Sequence, residues 1–316
     1  MQNTSIIYRN ILLFLVLIVL LNIAIGFYSN FKKEKKTNGS SVNYVVNTVN
    51  SNQSVEDLAK VDYISQSDQM MEVFKKYDFT IDDFLSNESA NLIIFSSLPE
   101  DFMEIEPVSE RKKLFINTLL PIIFLENSRI LEDRKKILDW WNESQGENFS
   151  RDFWPSWLFE LSEKYETDDS NLGNLLVKVD IIPISMALAQ AAIESGWGTS
   201  RYLREGNAIF GQYTFDKKKG LKPINRDKDK NFYIRKFSNL SESTRSYLKN
   251  LNTNLAYKEF REERKKLRMG GEILSGLKLS NFLTRYSERK NDYVKDLKKI
   301  IESNNFMKFD NRNSMN

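Results

Sequence analysis

The stretch from Pro183 to Gly198, PISMALAQAAIESGWG, carries one ionisable side chain, Glu194, in an otherwise almost wholly apolar segment. Its alanine, leucine and glutamine residues have high helix propensity, and Gly196 is typical of a helix C-terminus. A helix that is apolar on all sides is normally buried, and a carboxyl group placed there costs free energy unless it is paired, protonated or functional. Glu194 is therefore the first candidate for a chemical role.

The composition restricts the chemistry that Glu194 can serve. The 316 residues include no histidine and no cysteine, which removes the usual general base, thiolate nucleophiles and the commonest metal ligands. Carboxylates remain, and they point first to glycoside hydrolysis, with no metal or cofactor. Apolar surroundings and the negative end of the helix both disfavour the carboxylate, so we expect a raised pKa and a general acid. The alternative is a glutamate that simply caps a neighbour at the helix end.

Gln190 lies four residues before Glu194 and therefore on the same helix face. Ala187 and Ala191 share that face, and their small side chains leave room for another backbone or a ligand. We predict Gln190 as a substrate-binding residue. The net charge of +3 is too small to favour a nucleic-acid partner.

The segments that follow this helix predict a mainly α fold with a small β lobe. Gln212–Phe215 and Asn231–Phe237 alternate aromatic or β-branched residues with polar ones, which predicts a hairpin with a long exposed loop. Helical patterns resume in ESTRSYLKNL, YKEFREERKKL and LSNFLTRYSERKNDYVKDLKKII. The last of these places Tyr286 and Tyr293 near one another.

Residues 55–170 are predicted as a helical region of their own, with a boundary in the polar stretch 167–174. Ser109 is the predicted N-cap of a helix that Pro121 kinks or divides, and a second helix is predicted from Ser128 to Trp141. Glu126 also follows an apolar run. Two arginines, Arg129 and Arg134, lie within reach along the helix, so we interpret Glu126 as a structural ion-pair partner.

Tryptophans are concentrated late in the same region, at positions 140, 141, 154 and 157. They predict either a sugar-stacking platform or core packing. Packing is the favoured interpretation, because aromatic groups at this spacing more often fill cores.

Three segments resemble a known family: AQAAIESGWGTSRYLREGNAIFGQYTF, NLNTNLAYKEFREERKKLR and RYSERKNDYV. They resemble the Bax-like branch of bacterial β-N-acetylglucosaminidases in glycoside hydrolase family 73. LFINTLLPIIFLEN and RILEDR resemble the N-terminal part of Bax-like proteins. The resemblance implies a lysozyme-like, mainly α domain with a β lobe beside the cleft, at 171–304 and followed by a tail at 305–316. It also implies hydrolysis of the β-1,4 bond between N-acetylglucosamine and N-acetylmuramic acid in peptidoglycan.

The same resemblance assigns site residues. Glu194 matches the catalytic acid, and Tyr286 matches a functional tyrosine of the family. The N-x-F-G segment that lines the cleft corresponds to Asn207 and Phe210. Trp197 and Tyr213 are sugar-stacking candidates, with core packing as the alternative for Trp197.

A second catalytic acid is not settled by the sequence. Many relatives carry one, often Glu, in the β lobe, whereas residues 207–237 of this chain include no Glu and only Asp216, Asp227 and Asp229. Asp227 or Asp229 could activate water in an inverting mechanism, in which the two acids lie roughly 6.5–9.5 Å apart. Both could instead be solvated loop residues, with the substrate's acetamido group assisting catalysis. A lytic transglycosylase or muramidase and a non-catalytic peptidoglycan-binding protein are the alternative functions.

The N-terminus predicts a location. An apolar run from Ile11 to Phe27 suits a membrane span, which needs roughly 17–25 residues. We predict a signal anchor over 1–28 and a flexible, Asn/Ser/Lys-rich linker over 29–54. Ala24-Ile25-Gly26 resembles a cleavage site, so a cleaved signal peptide is the alternative. The lysines after the run oppose export. A peptidoglycan substrate nevertheless favours an inner-membrane anchor with a periplasmic catalytic domain.

Overall fold

The computed structural model describes residues 60–61, 64–86, 92–144, 151–167, 171–223 and 231–312. All of them belong to one compact unit, Val45–Asn316. The predicted membrane segment at 1–28 and the linker at 29–54 lie outside the described residues, as do Asp227 and Asp229.

The described part of the chain is mainly helical, as the sequence predicts. Its helices are α1 (Ser67–Lys76), α2 (Ile81–Ser86), α3 (Val108–Glu143), α4 (Ser156–Lys164), α5 (Leu172–Lys178), α6 (Ile184–Ser195), α7 (Arg201–Gly206), α8 (Leu240–Thr253), α9 (Lys258–Met269), α10 (Gly276–Leu279) and α11 (Asn291–Ser303). Its strands are β1 (Lys60–Val61), β2 (Ile94–Phe95), β3 (Tyr213–Thr214), β4 (Gly220–Leu221) and β5 (Tyr233–Arg235).

Helix α3 is a single helix of 36 residues, although the sequence predicted two helices there. It begins after Pro107, so Ser109 lies inside the helix rather than at its N-cap. Pro121 removes one helical hydrogen bond, at a cost of about 3 kcal/mol. Burial of each large aliphatic side chain stabilises the fold by about 1.5–3 kcal/mol, which offsets this cost. The four that flank the proline are all at most 1% exposed: Leu119, Leu120, Ile122 and Ile123. Packing therefore holds the helix together across the proline.

The length and apolar composition of α3 would also allow it to cross a membrane. In this protein 72% of its most apolar 18-residue window is buried inside the fold. The helix packs on α6 and α8, so the region predicted as 55–170 shares a core with the region predicted as the glucosaminidase domain.

Helix α6 lies at the centre of the unit. It contacts α3, α10, α11 and the short turn Phe306–Phe309. Both phenylalanines of that turn are 1% exposed, so the segment predicted as a tail contributes side chains to the core. Because α6 is covered by several elements, its apolar sequence on all faces is explained by burial.

The β lobe is a three-stranded antiparallel sheet with strand order β3-β5-β4. Tyr213 pairs with Ile234, and Leu221 pairs with the same residue from the other side. The predicted hairpin of the segments around β3 and β5 is confirmed, and β4 adds a strand from the connection between them. A second, parallel pair joins β1 to β2 in the N-terminal region.

Candidate active site

Glu194 lies in the last turn of helix α6, and its position is set by the way the helix ends. Gly196 adopts a left-handed conformation (φ 57°) immediately after the last helical residue, Ser195. The backbone N–H of Trp197 then donates to the carbonyl of Ala192 at 2.9 Å, which closes the last turn. Glu194 lies in this final turn and is half-buried, whereas the residues before it are almost all buried.

The N-terminal end of α6 is held by a carboxylate from the end of the chain. Asp310 accepts hydrogen bonds from the N–H and the hydroxyl of Ser185, at 2.9 and 2.7 Å, and from the N–H of Gly276 at 2.9 Å. Burial raises the pKa of Asp310 to about 6, and these three hydrogen bonds oppose that rise. The helix is therefore fixed at the end opposite to Glu194.

The environment of Glu194 favours its protonated form. Burial raises the pKa of its carboxyl group, and a hydrogen bond with the hydroxyl of Tyr293 lowers it by a smaller amount. The direction agrees with the prediction made from the apolar sequence of the helix. A partly exposed carboxyl group with a raised pKa suits a general acid near neutral pH.

The backbone at Gly211 passes close to the acid. A Cβ atom on Gly211 would lie 3.6 Å from Oε2 of Glu194, and the residue has φ +61°. The positive φ favours glycine because a side chain there would be strained, and a Cβ atom would also be in van der Waals contact with the carboxyl group.

Several tyrosines lie near Glu194. The rings of Tyr286 and Tyr293 stack with centroids 5.5 Å apart, and Tyr247 stacks on Phe210 at 3.8 Å. Burial raises the pKa of Tyr247, Tyr286 and Tyr293, with a further contribution from nearby Glu194, so their hydroxyls remain neutral donors. The cluster gives the acid an aromatic wall that carries oriented hydroxyl groups.

Tyr293 is a candidate site residue to which sequence reasoning gave no role. The sequence assigned the catalytic tyrosine to Tyr286, whose hydroxyl donates to the carbonyl of Phe210 at 3.2 Å. The hydroxyl that bonds Glu194 belongs to Tyr293, in the same YSERKNDY segment. The available signal was the helical spacing that predicted the two tyrosines near one another. The predicted helix begins only at Asn291, and Tyr286 lies in the turn before it.

Gln190 does not line an open cleft, which corrects its prediction as a substrate contact. Its side chain is 0% exposed. The amide nitrogen donates to the Tyr293 hydroxyl at 3.0 Å, and the amide oxygen accepts from the Tyr247 hydroxyl at 2.6 Å. Both polar atoms are used inside the protein, because the hydroxyls of Tyr247 and Tyr293 bind the Gln190 amide.

The two predicted residues of the N-x-F-G segment, Asn207 and Phe210, make contacts within the protein. The ring of Phe210 is 3% exposed and packs on Tyr247, so direct contact with a substrate is not available to it and the prediction is corrected. Asn207 has φ 50° at the end of α7, and its amide donates to the carbonyls of Phe237 and Ser238, both at 3.3 Å. Asn207 also lines a cavity of about 730 Å³ whose lining does not include Glu194.

The two aromatic residues predicted to stack on sugars differ in their surroundings. Trp197 packs between Phe115 and Phe306, with ring centroids 5.8 and 6.3 Å away, so the packing alternative holds for it. Tyr213 stands on β3 with 66% of its surface exposed, next to Phe215, which is 84% exposed. These two rings keep a sugar-stacking role open on the β lobe.

Glu126 is a structural acid, as interpreted. It is 2% exposed and receives Arg129 at 2.6 Å. Arg245 of α8 adds a two-point contact at 2.8 and 3.0 Å. Arg134, the other expected partner, instead donates to the carbonyls of Leu176 and Val179.

Three of the four predicted tryptophans contact other aromatic rings, and the fourth, Trp141, is exposed. Trp140 and Trp157 meet edge to face at 6.4 Å, and Trp154 is 5% exposed against Phe159. Among the residues that the structure describes, no three acidic side chains come together to hold a metal ion.

A family model and a similar protein both identify the same family for this chain. The family model for mannosyl-glycoprotein endo-beta-N-acetylglucosaminidase matches residues 172–306. The chain is 32% identical over 222 residues to "Protein bax" of Escherichia coli (strain K12), across 68% of this chain and 77% of the relative. No solved structure matches the chain, so the lysozyme-like part of the fold prediction stays a prediction.

Proposed function

The chain belongs to the glucosaminidase family as a Bax-like member, and from that premise we propose that it hydrolyses the glycan strands of peptidoglycan. The proposed bond is the β-1,4 link between N-acetylglucosamine and N-acetylmuramic acid. The observation that carries the proposal is the environment of Glu194, a half-buried carboxyl group with a raised pKa beside the glycine backbone of Gly211.

In the proposed reaction the protonated Glu194 gives its proton to the glycosidic oxygen as the bond to the anomeric carbon breaks. The carboxylate that results keeps its hydrogen bond from Tyr293, which stabilises the charge that the transfer leaves behind. Stacking of sugar rings on Tyr213 of the β lobe would hold the strand, because this ring is exposed.

The group that completes the reaction belongs to one of two classes. In the first class, Asp227 or Asp229 would activate water and invert the anomeric centre. The acetamido group of the substrate would instead retain it. Product stereochemistry, read by proton NMR immediately after cleavage, separates the two, and Asp227→Asn and Asp229→Asn identify the base if inversion is found.

The decisive experiment measures release of muropeptides from purified peptidoglycan by the full chain and by Glu194→Gln. General acid catalysis contributes about 10²–10⁴-fold, so we expect a loss of at least about a hundredfold. Glu126→Gln is the matched control, since it removes the other buried acid on an apolar helix and should keep turnover per folded molecule. Equal release by wild type and Glu194→Gln would exclude the acid role.

Mass spectrometry of the same digest tests the two alternative functions. Reducing N-acetylglucosamine ends support the glucosaminidase, whereas anhydro-muramyl ends would show a lytic transglycosylase. Reducing N-acetylmuramic acid ends would show a muramidase. Binding to peptidoglycan with no release of fragments would leave a non-catalytic binding protein.

We also propose that the apolar run from Ile11 to Phe27 anchors the protein in the inner membrane, with the folded unit in the periplasm. A peptidoglycan substrate requires that side of the membrane. Without protease the protein should be found in the membrane fraction. External protease added to spheroplasts should degrade the folded unit, and protection from the protease would contradict the orientation.

A further inference from the structure

Three buried side chains form a chain of hydrogen bonds that ends at Glu194. The hydroxyl of Tyr247 donates to Oε1 of Gln190 at 2.6 Å, and Nε2 of Gln190 donates to the hydroxyl oxygen of Tyr293 at 3.0 Å. The Tyr293 hydroxyl in turn approaches the carboxyl group of Glu194 closely enough to act as its hydrogen-bond donor, which lowers the pKa of that carboxyl group. Each of these three side chains is at most 2% exposed, so bulk water does not compete for their hydrogen bonds.

The chemistry of the amide gives this chain a direction. An amide nitrogen only donates and an amide oxygen only accepts, whereas a phenol has one hydrogen to give. The oxygen of Tyr293 receives a hydrogen from Gln190, so its own hydrogen is left for Glu194. The amide cannot turn over without placing its NH₂ group against the donating hydroxyl of Tyr247, which would leave that hydroxyl buried without an acceptor.

We propose that Gln190, locked by Tyr247, is a positioning residue that points the Tyr293 hydroxyl hydrogen at Glu194 and so leaves the proton of the acid on its other oxygen, toward the substrate. This inference rests on the proposed function of Glu194. Without the amide, the Tyr293 oxygen is free to accept the proton of Glu194, and the acid would then donate into the protein rather than to the glycosidic oxygen.

Two tyrosines of the aromatic cluster around Glu194 differ in whether they belong to the chain of hydrogen bonds. Tyr286 lies in the same aromatic cluster, but its hydroxyl is occupied by the carbonyl of Phe210 and has no place in the chain of hydrogen bonds. Tyr247 has no hydrogen bond to Glu194, and its own hydrogen bond to Gln190 connects it to the acid through Tyr293. A change at Tyr247 should therefore alter Glu194 across two intervening side chains.

The test is a carbon-13 NMR titration of the full chain labelled at glutamate side-chain carboxyl carbons, with Glu194 assigned by its absence in Glu194→Gln. Loss of a hydrogen bond to a charged group moves a carboxyl pKa by about one to two units. We expect that upward shift in Tyr293→Phe. Gln190→Met and Tyr247→Phe should move the Glu194 pKa in the same direction and by no more.

Tyr165→Phe is the matched control, since it deletes a buried tyrosine hydroxyl that contacts Asp133, outside the site. It should leave the Glu194 titration unchanged. Tyr247→Phe removes a single oxygen atom and carries the test if Gln190→Met does not fold. An unmoved Glu194 titration in Tyr247→Phe, or an equal shift in Tyr165→Phe, would overturn the positioning role.

Activity gives a second measurement that is interpreted separately. If the wild type releases muropeptides, the alkaline limb of its pH profile should move upward in Gln190→Met and Tyr247→Phe, with a lower maximal rate. If the wild type releases none, the proposed function fails, whereas the NMR titration still decides whether Gln190 directs Tyr293.

Discussion

The side chain of Asn127 binds both backbone groups of Ile182. Its amide nitrogen donates to the carbonyl of Ile182 at 2.8 Å, and its amide oxygen accepts from the N–H of the same residue at 3.1 Å. Asn127 lies in α3 and is 0% exposed, and Ile182 stands two residues before α6 begins. The N-terminal region thus fixes the backbone that leads into the helix carrying Glu194.

Asn127→Ala should destabilise the whole unit. It leaves two buried backbone groups of Ile182 without partners, and each orphaned group costs about 1–3 kcal/mol, so we expect a loss of about 2–6 kcal/mol. Urea denaturation of the full chain measures this loss. Asn142→Ala, at an exposed position of the same helix, is the control and should change stability by less than about 0.5 kcal/mol. Equal losses in the two variants would show that the Ile182 contact contributes nothing.

The elements of this site were predictable where local sequence decides them. The apolar run with Gly196 at its end predicts α6 and the position of Glu194, and alternation predicts the pairing of the strands around Tyr213. Arg129 was predictable as a partner of Glu126 because three residues separate them along a helix.

What the sequence could not supply are contacts between distant segments. Asp310 and Ser185 are 125 residues apart, and Gln190 and Tyr293 are 103 apart. No periodicity relates such pairs, because tertiary packing alone brings them together. The interpretation of Gln190 as a ligand contact failed for this reason: helical spacing gives its face but not what covers that face.

Glu194→Gln should be more stable than the wild type at neutral pH. The folded-state pKa of Glu194 is raised by burial, so the native protein holds this proton at pH values where the unfolded chain has lost it. Wild-type stability therefore falls as pH rises from the unfolded pKa of glutamate through the folded value, and it levels off above that value. The glutamine variant lacks this loss.

Thermal or urea denaturation at a series of pH values, from below the unfolded pKa of glutamate to about pH 8, measures the difference between the two proteins. The gap should be smallest at low pH and should widen upward. Glu205→Gln, an exposed acid in α7, serves as the control and should show no such trend. A wild type that gains on Glu194→Gln as pH rises would contradict burial of the acid.

Tyr213→Ala should weaken glycan binding more than it slows bond cleavage. The ring is 66% exposed on β3, where it can stack on a sugar without rearrangement of the core. Aromatic stacking contributes about 0.5–1.5 kcal/mol, so we expect KM for a soluble glycan fragment to rise by about two- to tenfold with kcat nearly unchanged. Leu255→Ala, at a position 82% exposed outside the lobe, is the control. A fall in kcat alone would remove Tyr213 from the binding surface.

Gly211→Ala should reduce hydrolysis much more than its effect on folding would suggest. The residue has φ +61°, which costs a residue with a Cβ about 1–2 kcal/mol. The added methyl group would also lie 3.6 Å from Oε2 of Glu194 and remove solvent from the carboxyl group. Gly271 offers a matched control, because it has φ +67° and a methyl group added there would meet no atom within 4 Å. Gly271→Ala should therefore lose similar stability and keep its turnover. Muropeptide release per folded molecule should fall in Gly211→Ala alone, and equal turnover in the two variants would show that the backbone beside Glu194 is not part of the catalytic surface.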